Sequence, residues 1–194
     1  AVTASSVLLN RQQAYIARYA LGRDYHKTLR TRLQRLAHWL QQAAPGCAVR
    51  VFTDSAPVAE VALATQAGMG WRGKHTLLLN RGGSYFFLGE IFTDLALPVD
   101  EASESHCGHC QRCQNVCPTQ AIVAPYILDA RRCIAYLTIE YRGSIPVTLR
   151  PLLGNRVYGC DDCQLVCPWN RFTVPTLEQD FRVRHGLDAP DLLS

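Results

Sequence analysis

Cys107-Gly-His-Cys110-Gln-Arg-Cys113-Gln-Asn-Val-Cys117-Pro118 is the stretch on which the reading of this chain turns. Three thiols at two-residue spacings can wrap one corner of a cubane iron–sulfur cluster, while a fourth after three more residues, closed by proline, points to a neighbouring cluster. A partner motif is then required, and Cys160-Asp-Asp-Cys163-Gln-Leu-Val-Cys167-Pro168 repeats the second half with the same Cys-Pro ending. This second motif lacks its opening cysteine, and Cys133, expected on an intervening helix, is the available substitute. Crossed ligation then assigns Cys107, Cys110, Cys113 and Cys167 to one 4Fe-4S cluster and Cys117, Cys133, Cys160 and Cys163 to the other. Zinc sites come as separated cysteine pairs and need neither a third cysteine two residues on nor the Cys-Pro ending. Disulfides within so close a set would be strained.

Around that centre, 194 residues with 48% hydrophobic and 19% charged content suffice for a globular core of one or two domains. No apolar run reaches the length of a membrane span, and no stretch reads as a secretory signal. The expected compartment is reducing, the cytoplasm. Net charge is +4, but residues 1–50 carry eight basic groups against Asp24 alone, so +7 falls there and −3 on the rest. An anionic partner for the N-terminal end is one reading; an ordinary solvated helix face is the other.

Leu29, Leu33, Leu36 and Leu40 recur at helical period and predict a helix over 25–44, ended by Pro45-Gly46. Val49 to Thr53 reads as a strand, followed by a helix to about Ala67. Asp54 thus stands where strand gives way to helix, either as an N-cap or as a carboxylic acid kept protonated by burial near a reacting centre. Gly68-Met-Gly-Trp-Arg-Gly-Lys74-His75 follows, a loop whose glycines allow close backbone approach and whose Lys74 and His75 could meet polar groups of a ligand; it fits neither nucleotide-binding fingerprint. Residues 76–80 and 84–92 predict a hairpin across Arg81-Gly82-Gly83. Asp129 is a candidate N-cap for a helix carrying Cys133, and a short helix is expected from about Val147 to Leu153.

Two clusters imply electron transfer, yet the roughly hundred residues before them exceed what a carrier requires. Tyr19-Ala-Leu-Gly-Arg-Asp-Tyr-His26-Lys, Asp54-Ser-Ala-Pro57, Gly68 through His75, Leu88-Gly-Glu90 and Tyr158-Gly-Cys-Asp-Asp-Cys-Gln-Leu-Val-Cys-Pro-Trp-Asn170 together resemble the epoxyqueuosine reductase family. The resemblance covers nearly the whole chain. It implies an α+β protein: a cobalamin-binding α/β lobe, similar to that of reductive dehalogenases, over 1–100, and a bacterial two-4Fe-4S ferredoxin-like domain over 101–172. Residues 173–194 would be a linker toward an absent C-terminal helical-repeat domain, and an N-terminal segment would also be missing. It further implies an oxidoreductase acting on the wobble base of tRNAs for Asp, Asn, His and Tyr, a monomer fed by an external electron donor. Asp54 falls on the family's proton donor. Lys74, His75, Ala135, Thr138, Cys160 and Asp161 fall in the cobalamin region, and the eight cysteines on the cluster ligands. A small-molecule corrinoid reductase and a plain electron-transfer subunit are the alternatives.

Overall fold

The computed structural model describes residues 4–187 and 190. The chain opens with α1 (Ala4–Leu9) and β1 (Tyr15–Ile16), then α2 (Tyr25–Ala43), β2 (Val49–Phe52), α3 (Glu60–Gln66), β3 (Trp71–Arg72), β4 (Leu78–Leu79) and β5 (Glu90–Thr93). The cysteine-bearing part follows with α4 (Arg112–Val116), β6 (Ile122–Ala124), β7 (Ile127–Leu128), α5 (Ile134–Ile139), α6 (Arg150–Leu153), β8 (Arg156–Tyr158) and α7 (Asp162–Leu165). Its sheets are two-stranded: β1 with β8, β2 with β5, β3 with β4, β6 with β7.

The α2 helix forms where its periodicity places it, with Asp24 accepting from His26 N–H at 3.0 Å as N-cap. It packs on β2 and β5, where Gly89 allows close approach: a Cβ there would lie 2.8 Å from Leu33 Cδ1. Leu36 and Trp39 on the same helix stay exposed. The predicted hairpin is not formed. Leu78–Leu79 pairs back with Trp71–Arg72, Glu90–Thr93 pairs with Val49–Phe52, and only an isolated bridge, Asn80 to Gly83, marks the expected turn. Both runs are apolar enough for strands, but β2 presents a long-range partner that the local pattern does not reveal.

The expected boundary at residue 100 does not separate two bodies. The parallel pair β1·β8 joins Tyr15 to Arg156 and Ile16 to Tyr158, so the N-terminal segment completes the cysteine-bearing part. Buried Asn155 fastens it, its Nδ2 donating to the carbonyls of Val7 (2.7 Å), Asn10 (3.1 Å) and Gln13 (2.9 Å). The segment after residue 172 also departs from a free linker. Asp180 pairs with Arg23, Glu178 with Arg32, and Arg23 N–H donates to the Asp180 carbonyl at 2.7 Å. Residues 188, 189 and 191–194 of that expected linker lie outside the described residues.

Asn155→Ala leaves three carbonyls without this donor and is expected to destabilise the chain by about 1–3 kcal/mol, checked by chemical denaturation of the anaerobically reconstituted protein.

Candidate iron–sulfur and proton-donor site

α4 and α7 are each a single turn or little more, and they pack against each other. Each motif places thiols before, within and after its helix, and Pro118 and Pro168 turn the chain away after the last of them. The first set, Cys107, Cys110, Cys113 and Cys167, lines one cavity of about 350 Å³. That is the crossed assignment, with Cys167 contributed by the second motif. Burial pushes the Cys113 and Cys167 thiols up from their ordinary value, and the charges of Cys107 and Cys110 add to both.

In the second set, Cys163 is pushed up by burial and then by the charges of Cys133, Cys113 and Cys117. Cys133 therefore lies close to Cys163, as N-cap residue of α5. The helix expected through it is preceded by a 3-10 turn, Ala130–Arg132, and it is this turn that Asp129 caps, accepting from Arg131 N–H at 3.1 Å. Cys117 Sγ accepts from Ala121 N–H at 3.2 Å. Cys160 is turned to a carboxylate, its Sγ 2.8 Å from Asp162 Oδ2, and that carboxylate is gripped by Arg156 at 2.6 Å through each oxygen. Burial and then Asp162 push the Cys160 thiol up, so iron, which binds the thiolate, has to displace that proton.

Among the described residues no three His, Cys, Asp or Glu side chains converge as ligands of one metal ion. A cubane instead spreads its four thiolates over four irons, so its ligands stand further apart than around zinc. The donor set, all thiols and in two fours, fits two 4Fe-4S clusters.

Lys74 and His75 border the first cysteine cavity. Lys74, buried, donates from Nζ to the carbonyls of Gly108 (2.6 Å) and Cys110 (2.9 Å), so two of the three donors of its ammonium are engaged by the cysteine loop. Burial lowers His75 to about 4, so its ring is neutral at neutral pH. Thr138 Oγ1 bridges α5 to the second motif, donating to Ile134 O and accepting from Gly159 N–H at 2.9 Å. Asp161 is buried and accepts from Tyr15 Oη and Arg18 N–H, each at 2.7 Å, which anchors the turn between Cys160 and Cys163. Ala135 lies half-buried on α5.

Asp54 does not cap α3, whose N-cap is Ala59. The buried acid expected there is not found either: its side chain is 66% exposed, and its backbone is left-handed, with φ 46°. The residue is held from three sides. Tyr25 Oη donates to Asp54 Oδ2 at 2.6 Å, His26 Nε2 lies 3.7 Å from the same oxygen, and Asp54 N–H donates to Glu60 Oε1 at 2.6 Å. Burial, then the charge of Glu60, raises Glu90 to about 7. Tyr25 begins an aromatic row: Tyr19 meets it edge-on at 6.0 Å and lies 6.3 Å from Tyr158, which leads into Gly159-Cys160. Sequence reasoning missed Tyr25 and Glu60 as partners of the acid, although both stand inside or beside the quoted motifs.

A second, more open groove of about 810 Å³ is bordered by Arg18, Tyr85, Arg112, Cys167, Asn170 and Arg171, among others. Tyr85 Oη is buried with no hydrogen-bond partner, and Tyr85 feels the charges of Asp161 and Cys163. The groove therefore runs beside both thiol sets.

Residues 2–55 match the family described as "Epoxyqueuosine reductase QueG, DUF1730", and residues 106–170 match the "4Fe-4S double cluster binding domain". The epoxyqueuosine reductase of Pseudomonas aeruginosa is 62% identical over 190 residues, 97% of this chain and 53% of the relative. A crystal structure of epoxyqueuosine reductase with an epoxyqueuosine-modified tRNA-Tyr stem loop superposes with a TM-score of 0.88 at 33% identity, covering 94% of this chain and 49% of that one. The Bacillus subtilis epoxyqueuosine reductase, in a structure with its catalytic aspartate loop swung out of the active site, gives a TM-score of 0.87 at 33% identity, covering 94% of this chain and 49% of that one. The chain spans about half the length of the curated relatives it matches.

Two outcomes test this geometry. Cys133→Ala is expected to lose one cluster, read as half the iron by metal analysis; full iron would remove Cys133 from the ligands. Glu90, with its folded value raised from 4.5 to about 7, binds more protons in the folded than in the unfolded chain between those limits, so its contribution to stability falls as pH rises through that window. Glu90→Gln abolishes that fall. The melting-temperature difference, variant minus parent, is expected to grow from about pH 5 to about pH 7.5 and then level off.

Proposed function

We propose, from the premise that the chain belongs to the epoxyqueuosine reductase family, that the whole protein reduces epoxyqueuosine to queuosine in tRNA, with Asp54 as proton donor. The observation that carries this reading is the four thiols of Cys107, Cys110, Cys113 and Cys167 around a single cavity, with the buried Cys163 feeling the charges of Cys133, Cys113 and Cys117 beside it. Conversion of an epoxide to an alkene consumes two electrons and two protons and releases the oxygen as water. Each cluster passes one electron at a time, so two in series can deliver the pair stepwise.

The proton side belongs to this chain's own residues. An epoxide oxygen leaving as alkoxide is costly, and a positioned acid removes that cost, by about 10²–10⁴ in rate. Asp54 has Tyr25 and His26 against its carboxylate, and His26 Nδ1 is itself 2.8 Å from Asp24 Oδ1, so protons can be returned from an exposed chain of groups. The relative with its aspartate loop swung out supports a loop that takes more than one position, and the exposed, left-handed Asp54 fits such a loop.

Cobalamin fits the groove beside the thiols in chemistry: the orphaned Tyr85 Oη, with Asn170, Arg18 and Arg171 around it, suits the amide-rich rim of a corrin. When bound, it would supply a cobalt that the clusters could reduce and that, once reduced, could act on the epoxide carbon. The tRNA reading is supported by the relative crystallised with a modified stem loop and by the excess of basic residues over 1–50. Part of that charge is neutralised within the fold, because Arg23 and Arg32 are paired with Asp180 and Glu178. Recognition of a splayed anticodon loop would fall to the remaining exposed arginines. The protein is expected to work as a monomer in the cytoplasm with an external electron donor.

Asp54→Asn in the full-length parent is expected to slow turnover of an epoxyqueuosine-bearing anticodon stem loop by about 10²–10⁴ with iron content intact. Turnover within a factor of two of the parent would remove Asp54 from the proton-donor role.

A further inference from the structure

One polar group in the first cysteine cavity is used neither by the fold nor by the reading above. His75 is 4% exposed, and its Nδ1 accepts a hydrogen bond from Leu77 N–H at 3.2 Å. An accepting Nδ1 places the ring's single proton on Nε2. Nε2 is itself buried and has no hydrogen-bond partner. A buried donor without an acceptor is costly, so its retention points to an acceptor that the polypeptide does not provide. The cavity that His75 borders is the one lined by Cys107, Cys110, Cys113 and Cys167.

We propose that His75 Nε2–H donates a hydrogen bond to a sulfur of the 4Fe-4S cluster held by those four cysteines and thereby raises that cluster's reduction potential. The proposal rests on the two-cluster reading. A reduced cluster carries one more negative charge than the oxidised one, spread over its sulfurs. A fixed donor stabilises that form more, and hydrogen bonds to sulfur are among the levers that set cluster potential. The ring is held in place by its surroundings. Gly73 leaves it room, since a Cβ there would fall 2.7 Å from His75 Cε1 and 3.0 Å from Nδ1. Lys74, next in the chain, grips the Gly108 and Cys110 carbonyls and so keeps the cysteine loop against the imidazole. The two neighbours thus divide the work: the lysine positions the ligand loop, and the histidine acts on the cluster's electron affinity without adding charge.

The test uses the full-length parent, reconstituted anaerobically, with iron and sulfide measured first and a potentiometric titration followed by EPR. His75→Phe is expected to keep the iron of both clusters while one cluster's reduced-to-oxidised ratio at a fixed poise falls about tenfold, about 59 mV for a one-electron couple. The other cluster should not move. His75→Gln, whose amide N–H can occupy the place of Nε2–H, is expected to recover part of the shift. Unmoved potentials in His75→Phe with full iron would overturn the proposal. Should His75→Phe lose a cluster, pulsed ENDOR on the parent carrying ¹⁵N-histidine decides. A weakly coupled nitrogen with an exchangeable proton, absent in His75→Gln, supports the bond, and its absence in the parent overturns it. Iron for fewer than two clusters in the parent itself would instead overturn the two-cluster reading, and this inference with it.

Discussion

The packing of α4 against α7 is the contact from which the rest of the architecture follows, because it brings Cys167, which follows α7, into the cavity lined by Cys107, Cys110 and Cys113. Helices of five and four residues have no stability of their own. What holds them is packing and, once iron arrives, metal–thiolate bonds, whose free energy becomes folding free energy because the unfolded chain offers no preformed site. The thiols raised by burial keep their protons until iron displaces them. Assembly of this region is therefore coupled to proton release.

That coupling extends into the first hundred residues, which are stitched to the cysteine-bearing part by polar contacts. Lys74 reaches the Cys107–Cys110 loop, and Asn170 Oδ1 accepts from Ser84 N–H at 2.7 Å while Gln164 Nε2 donates to Ser84 Oγ at 2.9 Å. Buried polar groups are costly unless every partner is present. Such a network specifies one docking of the two parts and no other, which an apolar interface of equal area would do less strictly.

Legibility in the sequence followed the range of each interaction. The cysteine sets, α2 and β2 were readable because their signals, ligand spacing and periodicity, are local. Cys133 enters the second set by count alone, since eight thiols need eight positions. The hairpin failed because the choice between a near partner and β2 for Glu90–Thr93 is made by tertiary packing. The bonds of Lys74 to the Gly108 and Cys110 carbonyls were not legible, because nothing in Gly-Lys-His names carbonyls 34 and 36 residues on. The segment after residue 172 looked like a linker from its prolines and polar composition, yet Glu178 and Asp180 find Arg32 and Arg23 on and beside α2.

Asp54 shows how an acidic side chain can be both exposed and held. A non-glycine residue in the left-handed region costs about 1–2 kcal/mol, and here the cost is offset by the Asp54 N–H to Glu60 bond and by the Tyr25 hydroxyl on the carboxylate. Glu60 enters both sides of this arrangement: it accepts from the Asp54 backbone, and after burial its charge is what raises Glu90, so one carboxylate faces both the loop that carries the acid and the first residue of β5.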